Sequence, residues 1–508
     1  MTRLLMALLL PGAAALGAAL ALWPPGKVLL ALAALLPLPL ILRDFRVGVV
    51  LLTLALPAAT MLPPLRGLNV LNYLTFATLA AFALRAAFDR RHAVVWLPAP
   101  VWWGLVLPAT MGIVIAWPHI PEGARNYPAL ADARAIYEPT AYVLSRYAKP
   151  LLYWLGYAFL LANAVRASAR PERFVALLAV AALGLTLPVF ATVARYPGTL
   201  DELVSDREFL SPRGLHANDF GLLLAMACGP LLFLAGGQAR PRWRLAAGAA
   251  LAVVFCGVLL TFSRGGMLAC LVTLGGFLWH HRRLKTLVGI AAAALVFALA
   301  APQAVQDRLG TGLRAGALGD TTQVEHDELT AGRVHGWTLL APEVLDSPWI
   351  GSGLGSTQWS AAVAAGLYRA NHPHNIYLEL LMDLGLLGFA AVAACYAFFM
   401  RRLRTLAAEP ALGAELRSFF LGARWALWGG LAMAATTAYY MPNPAQTFLW
   451  FGLGMAFAFA PASVPARAAT GVRPGATRST GTGNGNDSGN GEGSGTRAAA
   501  AAAGGGRP

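Results

Sequence analysis

Tyr368-Arg369-Ala370-Asn371-His372-Pro373-His374-Asn375 sets two histidines, two asparagines and an arginine at the mouth of an apolar segment that begins Ile376-Tyr377-Leu378-Glu379. A histidine near neutral pH serves as a general base. Pro373 imposes an extended entry, so His374 falls on the first turn of the helix that follows. Helix-end polarity there lowers an imidazole's pKa and favours the neutral, base-competent form. His372 is the weaker candidate, a group that positions an acceptor. Asn375 reads as the helix cap. The alternative for two histidines is a zinc pair, but no cysteine and no nearby His-x-x-x-His pattern supplies further ligands. Glu379 and Asp383 lie one turn apart on the same helix. Carboxylates at membrane depth need a partner, and pairing with an arginine such as Arg264 is the structural alternative to a catalytic role.

Three arginines invite a second kind of chemistry. Arg264 stands in Thr261-Phe262-Ser263-Arg264-Gly265-Gly266, between two apolar runs, where the glycines let backbone approach a ligand. Arg213 stands in Ser211-Pro212-Arg213-Gly214-Leu215-His216-Ala217-Asn218-Asp219, beside a helix N-terminus that favours anions. Arg333 opens Gly332-Arg333-Val334-His335-Gly336-Trp337. Guanidinium groups suit bidentate phosphate binding. Two of them also have a plainer reading: Arg264 as an interfacial side chain reaching lipid headgroups, Arg333 as an exposed group on a surface helix. Trp337, one turn after Arg333, is suited to the membrane interface or to a sugar face. Asn218 and Asp219 read as caps.

The elements that must position these groups are membrane spans. The chain has 508 residues, of which 57% are hydrophobic and 12% charged; a soluble protein carries about twice that charge. Apolar runs recur at about 4–22, 27–42, 47–63, 70–88, 93–116, 147–166, 173–193, 218–236, 245–262, 265–281, 286–304, 376–400, 418–440 and 445–461. Each approaches the roughly 20 residues needed to span a bilayer. With no strand alternation, helix is the form that satisfies the backbone in lipid. The expected fold is an all-α polytopic membrane protein of 12–14 transmembrane helices. Cys228, Cys256, Cys270 and Cys395 all fall inside apolar runs and read as small core residues. The net charge of +15 comes from basic clusters between runs, a topology signal and not a nucleic-acid footprint. Clusters at Arg43/Arg46, Arg85/Arg90/Arg91, Arg166/Arg170/Arg173, Arg240/Arg242/Arg244, Arg282/Arg283/Lys285 and Arg401/Arg402/Arg404 are separated by pairs of spans. The positive-inside rule puts all of them, and both termini, in the cytoplasm.

The opposite side then holds the candidate residues. Its largest connection, 305–375, is expected to form a short helical hairpin within the membrane body of 1–462. One helix starts at Thr330, with an apolar face of Val334, Trp337, Leu340, Ala341, Val344 and Leu345. Gly351-Ser352-Gly353-Leu354-Gly355 reads as a flexible turn, and a second short helix follows from Ser356 to Leu367. No strand precedes the glycines, so they are no nucleotide loop. The tail 463–508, rich in Gly, Ala, Ser, Thr and Asn, has no apolar face to bury and reads as a disordered cytoplasmic extension. Arginines and a histidine outside the cytoplasm, away from nucleotides, suit a lipid-linked diphosphate in the outer leaflet. The arginines would hold the diphosphate as a leaving group, and the histidine would deprotonate an incoming hydroxyl.

Ser263-Arg264-Gly265, Gly332-Arg333 with Trp337, the Trp349–Gly355 run, and His374-Asn375 followed by Gly385-Leu386-Leu387-Gly388 together resemble the O-antigen ligase family, within the ligase and polymerase superfamily of bacterial surface glycans. The resemblance extends over about 40–460. It implies a fold like that of the GT-C glycosyltransferases, in the bacterial inner membrane, with a periplasmic active site. It implies transfer of a glycan from undecaprenyl diphosphate to a sugar hydroxyl of lipid A–core in lipopolysaccharide biosynthesis, by inversion and with neither metal nor other cofactor. Carried over, His374 is the base and Arg264, Arg213 and Arg333 bind the diphosphate; His372, Asn375, Trp337 and Glu379 support the site or position the acceptor. An O-antigen polymerase or a protein O-oligosaccharyltransferase of the same superfamily is the nearest alternative. A glycan-lipid transporter is more distant, since the unusual charges cluster at the outer edge and no internal repeat is visible.

Overall fold

The computed structural model describes residues 36–61, 69–89, 93–128, 133–199, 202–203, 206, 209–211, 214, 216–237, 239–281, 333–437 and 440–459. Arg213, the first and eleventh expected spans, most of the second, the connection up to 332 and the tail 463–508 lie outside the described residues.

The described chain is helical, as backbone groups in lipid require. The helices that matter for the site are α1 Phe45–Ala55, α2 Val70–Phe88, α3 Ala99–Ala116, α4 Gly156–Arg166, α5 Arg173–Ala194, α6 Ala217–Gly236, α7 Pro241–Leu260, α8 Arg264–His281, α9 Arg333–Leu340, α10 Ile376–Ala408, α11 Ala414–Ala434 and α12 Thr447–Phe457. Among the described residues six of these (α2, α3, α5, α6, α7 and α10) are long and apolar enough to cross a membrane. The protein is an all-α polytopic membrane protein.

Helix starts follow from side chains that satisfy the first N–H groups. Asn69 accepts from Leu71 N at the head of α2, and Asp44 accepts from Arg46 N at the head of α1. Pro241 stands at the first position of α7, where no N–H is needed. α6 is buried along most of its length and packs against α7, α8 and α11. Its approach to α8 is close: a Cβ on Gly266 would lie 2.9 Å from Gly221 Cα. Small residues of this kind let membrane helices meet backbone to backbone.

Two departures from regular helix shape the site. The approach to α4 runs through Pro139–Val143 and two π-helical turns, Leu144–Ala148 and Leu151–Leu155. Pro150 sits between them; lacking an N–H, it cannot close an α turn there. The second departure is a break in α10 at Gly385, with φ 63° and ψ −169°. The break leaves helix carbonyls and N–H groups open, and the glycine run fills them. Ser352 N donates to Met382 O (2.7 Å) and Gly353 N to Asp383 O (3.0 Å), while Leu386 N and Leu387 N donate to Pro348 O (2.8 Å) and Trp349 O (3.1 Å).

Three expectations are corrected here. The Gly351–Gly355 run is a fixed clasp, not a flexible turn. Gly351, Gly353 and Gly355 hold φ of 73°, 92° and 88°, a region closed to most side chains, and Leu354 N is tied to Gly112 O of α3 (2.8 Å). The apolar face expected from Thr330 onward holds only in part. Leu340 is fully buried, but Pro342 converts Ala341–Leu345 to a 3-10 helix and turns Leu345 outward, 77% exposed. The second loop helix is likewise split: Ser356–Trp359 is a 3-10 turn, Ser360 is extended, and its Oγ caps the single turn Ala361–Ala364.

Candidate active site

The histidine turn is held by aromatic donors on three sides. Tyr127 Oη donates to Ala370 O (2.9 Å), Tyr368 Oη to His372 O (2.8 Å), and Trp337 Nε1 to Pro373 O (2.9 Å). Trp337 thus supports the turn from α9. Asn375 Oδ1 accepts from Tyr377 N (3.0 Å) and Leu378 N (3.3 Å), so it caps α10. Between these restraints His374 is forced to φ 52°. Only Phe262 among the other described non-glycine residues has a positive φ, also 52°, and it lies two residues before Arg264. Such backbone costs about 1–3 kcal/mol and gathers at functional sites.

The two imidazoles meet edge to face, with ring centroids 4.1 Å apart. Burial, then the charge of Arg333 and the neighbouring His216, bring the His374 pKa down to about 4. Burial, then His374, Arg146 and Arg333, bring His372 to about 3. Both are therefore neutral at pH 7. The direction is that expected from sequence; the cause is burial and nearby cations. Arg333 belongs to this cluster by its field. Among the described residues no set of three His, Cys, Asp or Glu side chains converges as a metal site.

Arg264 opens α8 beside the same region. Ser263 Oγ donates to Asn218 Oδ1 (2.9 Å) and accepts from Gly266 N (3.1 Å); Asn218 N in turn donates to His216 Nδ1 (3.2 Å). The start of α8 is thereby tied to the start of α6, and His216, the cap of α6, acts on His374.

Below the histidine turn, Glu379 and Asp383 of α10 are both buried. Asp383 needs no arginine. Its carboxylate accepts from Gly355 N (2.9 Å), Ser356 N (2.9 Å) and Ser356 Oγ (2.7 Å), and so locks the glycine clasp. Both carboxylates line a cavity of about 440 Å³ together with Arg146, Lys149, Asp219 and Tyr440. His372, His374 and Arg264 are not in its wall, but Arg146 is, and its charge acts on His372. The cavity and the histidine pair are therefore neighbours sharing one cation.

Arg146 and Lys149 are functional candidates that sequence reasoning passed over, and His216 is a third. The signal was available: Arg146 and Lys149 stand three apart on one helical face, at the end of a span where the positive-inside rule calls for no cation.

Residues 249–393 match the family model described as O-antigen ligase. Over this segment the chain is similar to the O-antigen ligase family, and the match supports membership of it. The match runs from α7 to the middle of α10 and contains Arg264, Arg333, the glycine clasp, His372 and His374; it is shorter than the 40–460 expected. No curated protein matches the chain. The family carries a function of the O-antigen ligase or polymerase type, that of an enzyme of glycosyl transfer or ligation acting on a lipid-linked glycan and a lipid acceptor.

Proposed function

We propose that the chain is an O-antigen ligase of the bacterial inner membrane, moving a glycan from undecaprenyl diphosphate to a sugar hydroxyl of lipid A–core on the periplasmic side. His374 takes the proton of the acceptor hydroxyl. The acceptor oxygen attacks the anomeric carbon, and the bond from that carbon to the diphosphate oxygen breaks with inversion. The electron pair leaves with the diphosphate, which Arg264, Arg213 and Arg333 hold, with Arg146 added from its place beside His372. The reaction needs no metal or other cofactor. His372 positions the acceptor, and Asn375, Trp337 and Glu379 support the turn and the cavity beneath it.

The observation that carries the reading is a neutral, half-buried imidazole, fixed in a left-handed turn and suppressed first by burial and then by the charge of Arg333. A diphosphate bound to Arg333 offsets that charge and raises the basicity of His374, so donor binding prepares the base. The test is incubation of purified protein with undecaprenyl-diphosphate glycan and rough lipopolysaccharide. Glycan attached to the lipopolysaccharide supports the reading. Longer lipid-linked chains identify a polymerase, and neither product rejects glycosyl transfer.

A further inference from the structure

The 440 Å³ cavity beneath the histidine turn contains polar atoms that the protein leaves unsatisfied. Tyr440 Oη, Gln358 Oε1 and Asn443 Oδ1 are buried, have no hydrogen-bond partner among the described residues, and belong to residues of its wall. Tyr440 and Gln358 are only 4% and 3% exposed. A buried polar atom without a partner costs about 1–3 kcal/mol, and native structures rarely keep three around one cavity unless something fills it. Lys149 adds an ammonium on the same wall. The combination selects a ligand class. A hydroxyl group donates to amide oxygens and accepts from a phenol or an ammonium at once; an inorganic anion offers nothing to Gln358 Oε1 or Asn443 Oδ1. Trp154 and Tyr153 supply apolar ring surface in the same wall.

A neighbouring cavity of about 320 Å³ lies among α6, α10 and α11 and is lined mainly by apolar side chains such as Leu222, Leu380, Phe389 and Leu427. Tyr440 lines both cavities. A polyhydroxylated head and an apolar chain, joined through a diphosphate, make up the lipid-linked sugar of the proposed donor.

We propose that the cavity walled by Gln358, Tyr440, Asn443 and Lys149 binds the sugar of the donor nearest its lipid, through hydrogen bonds to that sugar's hydroxyls. This rests on the functional reading above and names the group its site recognises. The test uses the full chain in lipid nanodiscs and two probes, undecaprenyl diphosphate and undecaprenyl diphosphate bearing one N-acetylglucosamine. The wild type should bind the sugar-bearing probe about tenfold more tightly than the bare one. Tyr440→Phe and Asn443→Ala should each remove most of that ratio and leave affinity for the bare probe unchanged. Tyr440→Phe deletes only an unsatisfied hydroxyl, so its thermal midpoint should equal or exceed the wild-type value. Equal affinity of the wild type for both probes overturns the sugar site alone, as do variants that weaken both probes alike. Binding of neither probe overturns the functional reading with it.

Discussion

At the scale of single residues the proposed mechanism turns on His374. Its pKa of about 4 in the free protein predicts where the acid limb of kcat/KM falls. Activity should hold from pH 8 down to about pH 5, where a histidine of ordinary pKa near 6.5 would already be mostly protonated. Arg333→Ala removes one of the charges that suppress the imidazole, so the limb should move upward in pH while kcat/KM falls. A limb that stays in place in that variant separates Arg333 from the base. Stability follows the same sign. Between about pH 6.5 and 4 the unfolded chain protonates these histidines and the folded chain does not. Their contribution is full above 6.5 and is lost as pH falls toward 4, which a thermal-unfolding series across that range reads directly. His374→Asn gives the cleanest test of the base, because asparagine tolerates a left-handed φ. The turn should survive with little change in thermal midpoint, while transfer falls by about 10²–10⁴. The residue types were legible from sequence, since outer cations and histidines stand out in an apolar chain. Arg146 and Lys149 were easier to pass over, because they sit at the seam between a connection and a span, where a run of Tyr, Ala and Leu masks a signal that their spacing does carry.

The elements explain why the histidine turn is rigid. α10 begins at its Asn375 cap and breaks at Gly385, and the clasp of Trp349–Gly355 fills the break. The sequence displays every glycine involved, yet their partnership joins backbone groups about thirty residues apart and depends on a helix interruption that no hydrophobic period announces. The expected flexibility was therefore the natural reading of Gly-x-Gly-x-Gly and the wrong one. A side chain at Gly385 would adopt φ 63° and place its Cβ 2.4 Å from Ile350 N. Gly385→Ala should lower the thermal midpoint and transfer activity together, with strain alone costing about 1–2 kcal/mol before the clash is counted. Asp383→Asn should act in the same direction, because an amide nitrogen faces donors where a carboxylate oxygen accepted them, at about 1–3 kcal/mol. If D383N abolished transfer at full stability, Asp383 would belong to the chemistry and not to the clasp. Helix positions themselves were well marked by apolar runs: the span expected at 70–88 is Val70–Phe88, and that at 173–193 is Arg173–Ala194.

For the molecule as a whole, the decisive quantity is the side on which the histidine turn lies. α10 has 33 residues, about 50 Å of helix at 1.5 Å per residue even before the break is considered, enough to carry its two ends to opposite faces of a bilayer. Its first end carries His372 and His374; its last turns carry Arg401, Arg402 and Arg404, which the positive-inside rule assigns to the cytoplasm. Under that assignment nucleotide sugars drop out, which is the reason for proposing a lipid diphosphate as donor. It can be read with thiol chemistry. Cys228, Cys270 and Cys395 are buried, and Cys256 is exposed on α7 within a span, so a Cys256→Ser background leaves no exposed thiol among the described cysteines. In that background Arg369→Cys, at an exposed position of the turn, should react with a membrane-impermeant maleimide in cells whose outer membrane alone is opened. Arg404→Cys, at an exposed position near the far end of α10, should react only after the inner membrane is breached. The reverse pattern would place His374 among cytoplasmic nucleotides. It would remove the reason for a polyprenyl donor while leaving the family match, the clasp and the suppressed imidazole as they stand.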